Sequence, residues 1–218
     1  VVNQNEIFYR LRMPWIRLLR ENGYKVYAVV ASGAWNDRIE QGGAEFVEWK
    51  LSRSGRNPLN EFSSVMGLTR ILRRIKPDIV QNFHTKPNIY APIAAKLAGV
   101  PVTVSTVTGL GYTFVERAGL GSRVGKRLNI RMYSFANRLT KEVAFQNPDD
   151  MDLLRDSGGL SRSKGRLIPG GSGVDITEYS PGRRESVESV ALRGSLGISS
   201  DAFVVMFVGR LQLDKGLV

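Results

Sequence analysis

Helical and strand-like spacings of apolar residues alternate along this chain. Leu11, Trp15, Leu18 and Leu19 recur at helical spacing, with Arg17, Arg20 and Glu21 on the other side. Pro14 fits a first turn, so the spacing predicts a helix that starts near it and stops at Gly23. The apolar run 26–31 reads as a strand, 37–41 as a short helix and 45–49 as a strand. A loop rich in Ser, Arg, Asn and Pro over 52–58 leads to a helix over 61–75, which Lys76-Pro77 ends. DIVQNF (78–83) reads as a buried strand, 88–97 as a helix closed by Gly99, and 100–107 as a strand rich in Val and Thr. A basic amphipathic helix over 122–139 follows, with Leu128, Ile130, Met132, Tyr133 and Phe135 as its packing residues, then a short strand at 143–145. Asn147-Pro148-Asp149-Asp150 has the form of a helix start, with Asn as cap and Pro in the first position. After 166–168 come the turn PGGSGVD (169–175), a polar stretch with a weak helix over 185–192, and the apolar strand FVVMFV (203–208).

Strands alternating with helices predict an α/β fold, a parallel sheet covered on both faces by helices. The first interpretable element is a helix with no strand before it, the chain begins with Val1, and it stops ten residues after a fresh strand. That pattern predicts truncation at both ends, because an isolated strand and half a helix bury nothing.

Composition narrows the class. With 42% hydrophobic and 23% charged residues in 218, the chain has the makings of one or two packed domains. It has no Cys, which removes disulfides, thiolate metal sites and Cys nucleophiles, and a single His, which removes multi-His metal sites. No apolar run reaches the roughly 18–20 residues of a membrane span, and no secretory leader pattern opens the chain. The net charge of +11 calls for an anionic partner: nucleic acid, an anionic membrane face or a phosphate-rich substrate. Residues 116–142 carry seven of the basic residues against two acidic ones, so about half of that excess sits on and around the basic helix. Its Arg123, Lys126, Arg127 and Arg131 suit anionic headgroups, or form a solvated face.

Candidate chemistry gathers after the strands, at the edge where open α/β sheets bind ligands. In FVGRLQLDKGLV (207–218), Gly209 permits an unusual turn and Arg210 and Lys215 lie five apart, suited to a diphosphate or simply solvated. PGGSGVD brings three glycines in four residues, for close backbone approach to a phosphate, for a hinge, or for a plain loop. His84, after its strand, is a general base, a phosphate hydrogen-bonder or a loop residue; Gly109 and Gly111 admit a ligand to the backbone. Asp149, Asp150 and Asp152 are explained as negative charge in a helix first turn.

The ordered set HTKPNIY (84–90), TVTGLGY (106–112), NPDDM (147–151), IPGGSGVD (168–175) and VGRLxxDKG (208–216) resembles bacterial family 4 glycosyltransferases. Within that family it is similar to enzymes that extend undecaprenyl-diphosphate-linked glycans with N-acetylgalactosamine or galactose. The resemblance implies a retaining enzyme of the GT-B fold. Residues 1–174 are then the acceptor-binding Rossmann-like domain with its first strand missing, 175–201 a linker, and 202–218 the start of a nucleotide-sugar domain. It implies that Gly209, Arg210 and Lys215 hold the donor diphosphate, and that His84, Thr85, Lys86, Asn88, Tyr90, Thr108, Gly109 and Gly111 line the acceptor loops, Lys86 at the lipid diphosphate. Arg123, Lys126, Arg127 and Arg131 then dock the domain on anionic lipids of the inner face of a bacterial membrane, from the cytoplasm. The implied substrates are a nucleotide sugar, UDP-linked, and an undecaprenyl-diphosphate acceptor in polysaccharide or lipopolysaccharide assembly, with no cofactor, no metal and no nucleic acid.

The departures are specific. Many members carry a His where Thr108 stands, so no catalytic base is assigned, and the family's E-x7-E pair falls beyond residue 218. Glu40 and Glu48 match that spacing in the wrong domain. This chain is therefore expected to lack a complete donor site and to be inactive alone. A GT-B nucleotide-sugar epimerase, or a basic module binding nucleic acid or membrane, are the alternatives.

Overall fold

The computed structural model describes residues 1–51, 57–110, 120–168, 170–173, 176, 186–199 and 201–209, with backbone alone at 120–122. Two compact units divide the chain, Val1–Val174 and Asp175–Val218.

The first unit alternates as the sequence pattern demands: α1 (Asn5–Glu21), β1 (Tyr27–Val30), α2 (Asn36–Gln41), β2 (Glu45–Glu48), α3 (Pro58–Ile75), β3 (Ile79–Phe83), α4 (Thr85–Ala98), β4 (Val102–Val107), α5 (Leu120–Leu139), β5 (Glu142–Phe145), α6 (Pro148–Asp156) and β6 (Arg166–Leu167). β1 pairs with β2, and β3, β4, β5 and β6 pair in that order, all parallel. Val1 and Val2 stitch the two sets together. The Val2 amide donates to the Val29 carbonyl at 3.1 Å, and the Phe83 amide donates to the Val1 carbonyl at 3.1 Å. Residues 1–2 thus lie between β1 and β3, where the expected first strand belongs.

Alternation along β1 shows how the sheet is covered. Val29 joins one apolar cluster with Trp49, Leu68, Leu72, Tyr133 and Phe145. Ala28 and Val30, on the opposite face, join Phe8, Met13, Ile16 and Ile39. The first cluster draws on α3, α4 and α5, with α4 packed against both of the others; the second draws on α1 and α2.

Local chemistry sets the ends. Asn57 caps α3 by accepting from the Leu59 amide, which with Pro58 starts the helix three residues before the apolar pattern does. Asn147 caps α6 by accepting from the Asp150 amide at 2.7 Å. Gly99, at φ 78°, closes α4.

Three expectations are corrected. First, α1 begins at Asn5 with Pro14 inside it. It buries Phe8, Arg12, Met13 and Ile16 and leaves Leu11, Trp15 and Leu18 exposed. Two stripes of the same period compete here, and the winner was hidden because an arginine occupies its middle. Second, Leu128 and Phe135 of α5 are exposed, whereas Tyr133 and Ala136 are fully buried. Third, 203–208 forms no strand among the described residues, and Phe203, at 92% exposure, finds no partner sheet. The second unit contains α7 (Val187–Ser195), capped by Ser186. Among the described residues no helix is long and apolar enough to cross a membrane.

Candidate functional site

Parallel register delivers the motifs to one edge. Phe83 pairs with Thr106, Val107 with Phe145, and Phe145 with Leu167, so the residues after β3, β4, β5 and β6 all leave the sheet at its C-terminal edge. His84, Thr108, Gln146 and the 170–173 turn are those residues.

His84 follows β3 directly and is the N-cap of α4, and its backbone sits at φ 72°, ψ 164°. That region belongs essentially to glycine, and holding another residue there costs about 1–3 kcal/mol. Its Nδ1 is buried without a hydrogen-bond partner among the described residues. Burial first, then the Arg12 guanidinium, push the imidazole down to about 4, so it is neutral at pH 7. The strain gives a test that reverses the usual order of substitutions. His84→Gly should be more stable than His84→Ala by about 1–2 kcal/mol in urea unfolding, because only glycine relaxes at this φ. An alanine variant of equal or greater stability contradicts the strain.

Arg12 reaches the same edge from α1. It is 5% exposed, and its guanidinium carbon lies 4.0 Å from the centre of the Phe83 ring. Its Nη1 donates to Ser172 Oγ at 3.2 Å, and Gln146 Nε2 donates to the same oxygen at 2.7 Å. Nε and Nη2 have no partner among the described residues. Burial lowers the group to about 10, which leaves it charged at neutral pH. Sequence reasoning missed Arg12. The signal available was a charged residue set four positions from an apolar one on each side, Phe8 and Ile16.

The other predicted loop residues divide. Lys86 Nζ pairs with Glu61 Oε1 of α3 at 2.7 Å, and Tyr90 Oη donates to Glu61 Oε2 at 2.5 Å. Burial and Glu61 hold the Tyr90 hydroxyl protonated well above the usual tyrosine range. Asn88 is 1% exposed and held at both ends of its amide: Asn82 Nδ2 donates to its Oδ1 at 2.8 Å, and its own Nδ2 donates to the Thr106 carbonyl at 2.9 Å. Asn82 also donates to Ser105 Oγ at 2.8 Å. Asn88 therefore fastens α4 to β3 and β4 and presents nothing to solvent. Thr85 lies against the buried Tyr133 hydroxyl. Thr108 and Gly109 are half-buried, and Gly109, at φ 145°, has open space where a Cβ would stand.

Gly111, Arg210 and Lys215 lie outside the described residues. Gly209 lies in the second unit, where a Cβ would meet the Phe207 ring at 2.9 Å. On α5, Arg123, Arg127 and Arg131 are exposed and Lys126 is half-buried. The exposed Val124, Leu128 and Phe135 follow one another at helical spacing among these cations. An open cleft of about 440 Å³ lies at the ends of β1 and β2, lined by Ser32, Glu48, Trp49, Asn60 and Ser63. Among the described residues no group of three His, Asp or Glu side chains converges to hold a metal ion.

A family model described as glycosyl transferase 4-like matches residues 1–147. The N,N'-diacetylbacillosaminyl-diphospho-undecaprenol alpha-1,3-N-acetylgalactosaminyltransferase of Campylobacter jejuni is 23% identical over 96% of this chain and 54% of its own length. The UDP-Gal:alpha-D-GlcNAc-diphosphoundecaprenol alpha-1,3-galactosyltransferase of Escherichia coli is 29% identical over 72% of this chain and 38% of its own length. The chain thus spans about half or less of the curated relatives it matches. The crystal structure of a glycosyltransferase from Rickettsia africae superposes with a TM-score of 0.64 at 15% identity, over 92% of this chain and 49% of that one. That likeness establishes the Rossmann-like fold of GT-B enzymes.

Proposed function

The chain belongs to the glycosyl transferase 4-like family, and from that premise we propose that it serves a glycosyltransferase moving a sugar from a UDP-sugar to a glycan carried on a lipid diphosphate. The observation that carries this reading is the pair of curated relatives, both named for a diphospho-undecaprenol acceptor. One of the names also prints a UDP donor. Both print an alpha-1,3 linkage, and transfer from an α-linked nucleotide sugar to an α product is transfer with retention.

In this reading the edge after β3, β4, β5 and β6 receives the acceptor. Asn82 and Asn88 fix that edge, and the Glu61, Lys86 and Tyr90 triplet locks the first two turns of α4 against α3. Paired as it is, Lys86 positions the loop and is not a free cation for a lipid diphosphate. Arg210 and Lys215 stabilise the charge that builds on the leaving nucleoside diphosphate as the glycosidic bond breaks, electrostatic catalysis that needs no metal. The exposed face of α5 is the membrane contact. Its apolar residues enter the headgroup region, and each nearby Arg adds about 1 kcal/mol on an anionic leaflet. That geometry brings a peripheral enzyme to a lipid-borne substrate on the inner face of a bacterial membrane.

The test is transfer itself, with the complete reading frame that contains this chain. Labelled sugar from UDP-N-acetylgalactosamine or UDP-galactose should move into the organic phase when an undecaprenyl-diphosphate-linked sugar is supplied. Label that stays in the aqueous phase with every donor and acceptor offered contradicts the reading.

A further inference from the structure

We propose that Arg12, His84 and the 170–173 turn form an anion subsite that takes one phosphate of a diphosphate. The subsite rests on the glycosyltransferase reading only for the identity of the molecule that brings the phosphate.

The case begins with an unmatched charge. A guanidinium that is 5% exposed is ordinarily paired on all sides, because an uncompensated buried charge is strongly destabilising. Among the described residues Arg12 makes one side-chain hydrogen bond, from Nη1 to a neutral hydroxyl, and meets no acidic partner. Its two unpartnered nitrogens, Nε and Nη2, are the parallel side-on pair with which arginine grips two oxygens of a phosphate or carboxylate.

Three features around it favour the same occupant. The guanidinium stacks on Phe83, the residue immediately before the N-cap of α4. That N-terminus has no side-chain cap and no acidic residue in its first turn, so its positive end is not compensated locally. The neighbouring His84 holds a buried, unpartnered Nδ1 in a backbone conformation that costs energy to maintain. From the other side, Ser172 carries the Arg12 contact. Gly170, Gly171 and Gly173 all lie at positive φ with open space where a side chain would stand. A phosphate supplies two oxygens to the Arg12 fork and a further one to the His84 ring, and a turn with glycine at three of its four positions lets it approach. A carboxylate has too few oxygens to meet these groups together.

His84 is the only histidine in the chain, so its ring resonances report this site alone. The experiment titrates the ¹⁵N-labelled chain with inorganic pyrophosphate, UDP and geranyl diphosphate, with acetate as the carboxylate control. Pyrophosphate is expected to shift the His84 ring signals and to raise its titration midpoint from about 4, where burial and the Arg12 charge now oppose protonation. Acetate should leave both unmoved. A UDP response identifies a nucleotide as the source of the phosphate, and a geranyl diphosphate response identifies a lipid.

Arg12→Met should weaken pyrophosphate binding at least tenfold while raising the thermal midpoint of the anion-free chain, since the uncompensated charge is gone. A purely structural arginine gives the opposite stability change. If the methionine variant does not fold, Arg12→Lys, which keeps the charge but loses the fork, carries the same test with at least threefold weaker binding. Silent His84 signals with all three diphosphates, or unchanged affinity in the folded Arg12 variant, overturn the subsite. Because the readout is binding, a chain that binds pyrophosphate in a protein that transfers no sugar keeps the subsite and sinks the transferase reading, and the converse pair of results does the reverse.

Discussion

Replacing Arg210 or Lys215 by alanine in the complete reading frame should lower turnover by about 10²–10³-fold, the usual size when a group that stabilises transition-state charge is removed. The expectation rests on VGRLxxDKG, which sets a glycine turn and two cations five residues apart at the close of an apolar run, together with the family to which the chain belongs. Charge on the departing diphosphate is greatest as the sugar–oxygen bond breaks, so the loss should fall mainly on kcat and less on KM for the donor. The double variant should be little worse than the weaker single one, because two cations on one leaving group act as a unit. Steady-state kinetics of UDP release decide it. A variant that keeps more than about a third of its kcat, well short of that loss, assigns its residue to the solvated face of a turn.

The largest stability effect is expected at Asn88. Asn88→Ala removes the acceptor for Asn82 and the donor for the Thr106 carbonyl, at a position 1% exposed, and leaves a cavity between α4 and the sheet. Unpaired buried groups cost about 1–3 kcal/mol each, and Asn82 keeps Ser105 as a second acceptor. Together with the lost packing the change should cost about 2–4 kcal/mol. Urea unfolding should show this as a lower midpoint with an unchanged slope. A loss below about 1 kcal/mol would mean that the Asn82, Asn88 and Ser105 network is not what ties α4 to β3 and β4.

How far the chain can be read without coordinates depends on how local the physics is. Alternating periods located β1 to β5 and the helices between them, because each buries its own stripe or strand face. The cap at Asn147 and the stop at Gly99 were legible for the same reason: both need only near neighbours in the chain. That His84 and Thr108 share one edge followed from parallel topology; that the 170–173 turn joins them did not, because the two-residue β6 before it was too short to show in the pattern. What stayed hidden depends on distant partners. Lys86 looks like a free cation until Glu61, twenty-five residues earlier, is brought against it. Arg12 looks like part of a polar face until Ser172, 160 residues away, and Phe83 close over it. The stripe through Leu11, Trp15 and Leu18 has proper helical spacing, but spacing cannot say which of two stripes meets the sheet. The run 203–208 has strand composition, yet composition does not provide the neighbouring strands that it needs.

The measurement that tests the central claim most directly is consumption of UDP-sugar by the complete reading frame, followed with and without an undecaprenyl-diphosphate-linked sugar. Consumption that requires the lipid, with one UDP released per sugar appearing on it, is the result predicted here. Consumption that proceeds equally without any acceptor, with the nucleotide sugar converted into an isomer and no UDP released, contradicts it and identifies an epimerase on the same fold.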